Sequence, residues 1–141
     1  MADQYVRRAL AAALGQSVTY TLYPAIGAGV TVGTVVTSGA GVWGADKELI
    51  AAAGITTVFY VCGVDLDTAG ALQPFVVDLE VGGATTIFSF RIDLTAVTVN
   101  LSRILTGQFP VEVAASSQVT ARASGTAAKV LGVSTVVATG L

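Results

Sequence analysis

A chain of 141 residues fits about one domain and is long enough to bury a core of its own. Hydrophobic residues make up 53% and charged residues 11%, against roughly 25% charged in an ordinary soluble domain, which predicts a surface that meets protein as well as water. The net charge of −2, with seven Lys and Arg scattered along the chain, argues against nucleic acid, and no apolar run approaches the roughly 20 residues of a membrane helix.

Residues 1–15 are expected to form an N-terminal arm and residues 16–141 a β-sandwich domain. Asp3 to Leu14 has the pattern of a short helix, with Asp3 as cap, alanines in the body and Gly15 as stop. A helix of about three turns is marginal alone in water, so it needs a surface to lie on. Tyr5, Val6, Arg7, Arg8 and Leu10 are its candidate docking residues, and a frayed terminus is the alternative. Asp3 and the brevity of the apolar stretch argue against a signal peptide.

Val18, Tyr20 and Leu22 alternate with Thr19, Thr21 and Tyr23, which predicts a strand ended by Pro24, and Val30 to Val36 predicts a second. Tyr20 and Tyr23 fall on opposite faces, so at least one is expected outside the core. Gly39, Gly41 and Gly44 match G-x-G-x-x-G, followed by the helix-like ADKELIAAAG and the strand-like TTVFYVCGV. Trp43 would crowd a turn built to approach a pyrophosphate, and the later sequence alternates as antiparallel strands in place of β-α units. These glycines are therefore read as a loop around Trp43, with a helical turn near Asp46–Ala53 crossing one end of the sandwich.

Thr56 to Leu66 is apolar on both faces: Val58, Tyr60, Cys62, Val64 and Leu66 on one, Phe59 and Val61 on the other. The first set is assigned to the core, and Phe59 and Val61 to an outer face that a partner subunit covers. Cys62 is the only cysteine, which rules out an internal disulfide and suits a small buried hydrophobe. Asp65 and Asp67 are expected at a solvated loop end, since a calcium ion needs six or more oxygens.

Gln73 to Leu94 carries the clearest alternation. Phe75, Val77, Leu79 and Val81 share one face, with Val76, Asp78 and Glu80 on the other, and Thr86, Phe88, Phe90, Ile92 and Leu94 form a second apolar face. A two-residue turn at Gly82-Gly83 sets Leu79 opposite Thr86, Val77 opposite Phe88 and Phe75 opposite Phe90, so the apolar faces coincide. A three-residue loop would set Asp78 against Phe88. Asp78 and Glu80 are expected as exposed carboxylates offset by Arg91 across the hairpin; a glycosidase pair is the sharper alternative.

Further strands are expected at Val97–Leu101, after Pro110, and in the last two segments, SQVTARAS and AAKVLGVSTVVATGL, for a total of about nine. The chain has no histidine, which removes the usual general base and the commonest transition-metal ligand. No catalytic residue, metal ligand or cofactor site is assigned, and no enzyme activity is expected.

The run FYVCGVDLD, FVVDLEVGG, TTIFSFRIDL and FPVEVAASSQVTARAS, ending in a Val-rich strand, resembles small jelly-roll virion proteins of tailed bacteriophages, particularly capsid decoration (cement) proteins and head fibres. The resemblance covers roughly residues 55–141 and lies in pattern. It implies an all-β, antiparallel, jelly-roll-like sandwich of about eight or nine strands, to which the residues themselves add the short N-terminal helical arm. It also implies a homotrimer on the capsid surface of the virion that bridges and stabilises major capsid protein subunits, with no nucleic-acid or membrane partner. The other functional reading is a tail or fibre module that recognises a cell-surface glycan, for which Trp43 and tyrosines would be presented at a loop cluster.

Overall fold

The computed structural model describes residues 18–25, 33–69, 73–93 and 103–140. The helical arm expected at 1–15, with Tyr5, Val6, Arg7, Arg8 and Leu10, lies outside the described residues, as does the strand expected at Val97–Leu101.

Ten strands follow one another among the described residues: β1 Thr19–Tyr23, β2 Thr34–Thr37, β3 Gly39–Ala40, β4 Lys47–Ile50, β5 Phe59–Ala69, β6 Pro74–Val81, β7 Thr85–Asp93, β8 Arg103–Val113, β9 Val119–Gly125 and β10 Val130–Thr139. In the first sheet β10 pairs with β1 and β2 along one edge and with β5 along the other, and β5 pairs with β8. In the second, β9 pairs with β3 and β4 on one side and with β6 on the other, and β6 pairs with β7. Every pairing is antiparallel except that of the two-residue β3 with β9. Each sheet turns an apolar face inward, and Val36, Phe59, Val61, Phe75, Val77, Leu79, Val133 and Val137 meet in one core between the sheets. The architecture is an all-β sandwich, and among the described residues no helix is long and apolar enough to cross a membrane.

Alternation predicts the inner face of β6 well: Phe75, Val77 and Leu79 are buried, each opposite a small residue of β9 (Gly125, Ala123 and Ala121). Large side chains on one strand thus fill the space that small ones leave on the next. Pro110, which has no amide hydrogen to donate, lies in β8, an edge strand. Tyr23 packs against the core while Tyr20 is exposed.

Four expectations are corrected. Asp46–Ala53 contains strand β4 in place of a helical turn: Lys47 and Glu48 pair with Ala121 and Thr120, and Leu49 and Ile50 are buried, so pairing and burial override the helix propensity of the alanines. Phe59 and Val61 face the core and are fully buried, not an outer contact face. The cause is an irregularity between Val61 and Gly63 that moves the following residues to the opposite parity, so that Phe59 and Val61 share the core with Val64 and Leu66. Tyr60 takes the outward position, buried, and donates its hydroxyl to Glu112 Oε2 at 2.7 Å. Asp65, expected at a solvated loop end, is buried within β5.

The fourth correction concerns the hairpin. Val81 pairs with Thr85, so the loop is Gly82-Gly83-Ala84, three residues where two were expected. Gly82 and Gly83 adopt φ of 65° and 67°, a conformation that glycine reaches without steric cost. The clash foreseen for such a loop is avoided by a bulge between Leu79 and Glu80, which sets Leu79 opposite Phe88, Val77 opposite Phe90 and Phe75 opposite Ile92. The two offsets add to an even shift, so both apolar faces still coincide and Asp78 meets Ser89.

Candidate functional site

The outer face of the second sheet gathers the charged and aromatic side chains. Because Phe75, Val77 and Leu79 point inward on β6, Val76, Asp78 and Glu80 point outward; on β9, Val119, Ala121 and Ala123 inward leave Thr120, Arg122 and Ser124 outward. The register sets Glu80 opposite Thr120 and Thr86, Asp78 opposite Arg122 and Ser89, and Val76 opposite Ser124 and Arg91.

Asp78 and Glu80 are 4% and 1% exposed, so they are buried carboxylates and not the solvated pair that alternation predicts. Their cation is Arg122, not Arg91. Arg122 Nη2 lies 2.8 Å from Glu80 Oε1 and 3.2 Å from Asp78 Oδ2, and Thr86 Oγ1 donates to Glu80 Oε1 at 3.2 Å. Trp43 closes the group from the sheet edge, its ring centroid 4.6 Å from the guanidinium carbon of Arg122, while the indole itself stays 42% exposed. Asp78 Oδ1, Glu80 Oε2, Thr120 Oγ1 and Arg122 Nε make no hydrogen bond to any described residue. Both carboxylates lean on a single guanidinium nitrogen, an arrangement that offsets the charge buried on this face.

The loop that presents Trp43 is held against β9. Gly41 N donates to Gly125 O and Gly44 N to Ala123 O, both at 2.8 Å. A Cβ at Gly44 would come within 2.0 Å of Thr37 O, so this glycine lets the chain pass close to β2. The G-x-G-x-x-G spacing thus packs a loop around Trp43, as its sequence context suggests.

Beside this group, on the same face, Pro74, Phe75, Val76, Arg91, Ser124, Gly125 and Thr126 line an open depression of about 230 Å³. Its rim at Thr126 is fixed by Gln73, a buried side chain. Gln73 Oε1 accepts from Thr126 Oγ1 at 2.8 Å and from Ala127 N at 2.9 Å, and its Nε2 donates to Ala127 O at 3.0 Å. Ser38 completes the clasp by accepting from Lys129 N at 3.0 Å and donating to Ala127 O at 2.8 Å. Gln73→Ala is expected to cost about 1–3 kcal/mol in urea melts, because it removes three hydrogen bonds that hold the partly buried β9–β10 turn.

Of the residues that sequence reasoning marks, Trp43, Asp78, Glu80 and Arg91 come to this face, and Phe59 and Val61 go to the core. Sequence reasoning misses Arg122, Thr120, Ser124 and Gln73. Arg122 and Thr120 carry a usable signal, since they alternate with Ala121 and Ala123, but which strand lies beside β9 is not written in that alternation. Among the described residues, no group of three or more His, Cys, Asp and Glu side chains is placed to hold a metal ion.

Fold and face together define a β-sandwich with one charged, aromatic-edged sheet surface. Comparison with protein families, with curated proteins and with solved structures yields no match.

Proposed function

We propose that the protein is a structural virion protein, a capsid decoration (cement) protein that sits on the capsid surface and bridges neighbouring major capsid subunits. The observation that carries this reading is the strand order. With β1 and β2 taken as one strand and the two-residue β3 set aside, the sheets run first-eighth-third-sixth and second-seventh-fourth-fifth, the order of a jelly roll, an architecture that recurs in viral capsid domains. Exposed Val35 and Val130, diagonal to one another on the outer face of β2 and β10, add apolar surface suited to a partner. The three-fold assembly rests on the resemblance alone, and cyclic symmetry would repeat one contact per subunit.

The test is cosedimentation with shells assembled from the cognate major capsid protein, with light scattering on the free protein at micromolar concentration. Saturable copelleting and a trimer are the expected results. A clean monomer that stays in the supernatant would sink the reading. Deleting residues 1–14 is expected to leave the thermal melt of the sandwich unchanged and to weaken copelleting.

A second reading, a module that recognises a glycan, is favoured by one observation: Trp43 presents a half-free indole beside polar groups held in place by ion pairs. Jelly rolls also serve as lectins.

A further inference from the structure

We infer that the depression between β6, β7 and β9 binds a carboxylate-bearing sugar, with Arg91 as the group that reads the acid; this rests on the glycan reading of the same sheet face. The argument begins with Arg91. Its side chain is exposed, lines the depression, and makes no ion pair or hydrogen bond to any described residue. Asp78 and Glu80 are both engaged by Arg122 from the other side of β6, and Asp93, two residues along β7 on the same face and opposite Pro74, has an interaction of its own that does not involve Arg91. A guanidinium presents a planar fork of donors that matches a carboxylate in two parallel hydrogen bonds.

The rest of the lining suits a sugar ring attached to that acid. Ser124, opposite Val76 and two places along the same row from Arg91, has a hydroxyl with no partner among the described residues, and Thr126 Oγ1 has accepting capacity left after donating to Gln73. Pro74 and Val76 supply an apolar floor of the kind that the C–H face of a pyranose covers. At about 230 Å³ the space falls below the ~300–1,000 Å³ of ordinary small-molecule pockets, which limits it to a single ring-sized group. Two residues along β9 from Ser124, Arg122 carries the exposed Trp43 ring, so further units of a chain would have an aromatic surface on the same face.

The experiment is a titration of the ¹⁵N-labelled full chain, followed by backbone amide shifts, with galacturonic acid, N-acetylneuraminic acid, galactose and acetate. Saturable shifts at Val76, Arg91 and Ser124 with either sugar acid are the expected result, with galactose and acetate weaker by about tenfold or more. Arg91→Ala should remove at least about tenfold of the sugar-acid affinity while leaving the melting temperature unchanged, since the side chain is exposed. Galactose binding as tightly as the acids, with no loss in the Arg91 variant, would overturn the inference and leave the glycan reading standing. Acetate or a glutamate-containing peptide binding as well as the sugar acids would overturn it in favour of a bare anion site or a protein partner. No amide shift with any ligand overturns it too; if Trp43 fluorescence also stays unchanged with neutral and acidic polysaccharides, the glycan reading falls with it.

Discussion

Arg122→Ala is expected to lower the unfolding free energy by about 3 kcal/mol, the lower end of the range for removing one member of a buried ion pair. The lower end applies because the Arg122 side chain keeps 27% exposure while those of Asp78 and Glu80 keep 5% and 1%. Without the guanidinium, two carboxylates remain buried on the same face of β6, with the Thr86 hydroxyl as the one donor left to them by the described residues. The cost is that of an uncompensated charge and not the worth of an attraction, which predicts its cure. Adding Asp78→Asn and Glu80→Gln to the Arg122 variant should return most of the loss, and urea melts of the single, double and triple variants measure that coupling directly. A loss under about 1 kcal/mol for Arg122→Ala would instead mark these carboxylates as ordinary solvated ones.

Phe59→Ala should cost about 3–5 kcal/mol, as for other large side chains truncated in a close-packed interior. Phe59 is fully buried between the sheets, whereas Val58, which strict alternation would place in the core, is exposed. Val58→Ala is therefore expected to change stability by under about 0.5 kcal/mol. The ranking of the two variants in denaturant melts tests the parity change along β5, because an uninterrupted strand predicts the reverse order.

What the sequence makes legible is local. Period-two alternation identifies β1, β6, β7, β9 and β10, and it sorts Phe75, Val77, Leu79 and Ile92 to the core. It fails where one residue is added to a strand, because nothing in composition marks Cys62 or Ile87 as extra; each keeps a residue type that suits a strand, yet parity changes beyond it. It fails again where the partner strand is distant in sequence. Arg91 is the natural partner for Asp78 and Glu80 inside the hairpin, and only the adjacency of β6 to β9 brings Arg122 across instead. Ala51 to Ala53 favour a helix locally, but Leu49 and Ile50 have an apolar interior to reach, and that outweighs propensity. Trp43 is legible as a loop aromatic, while its seat over Arg122 is not.

The place of β10 between β5 and the β1/β2 edge has a consequence for how the protein is made. β2 ends at residue 37 and β10 begins at residue 130, and at about 5–20 residues per second a ribosome needs roughly 5–20 s to cover that gap. Throughout it, β1 and β2 exist as emerged polypeptide whose hydrogen-bonding neighbour has not been translated. The second sheet reaches its own central strand, β9, slightly earlier, so sheet completion falls late in synthesis for both halves. Nascent chains stalled before residue 130 should thus be cut readily by protease within β1 and β2, whereas the 141-residue chain released from the ribosome should resist.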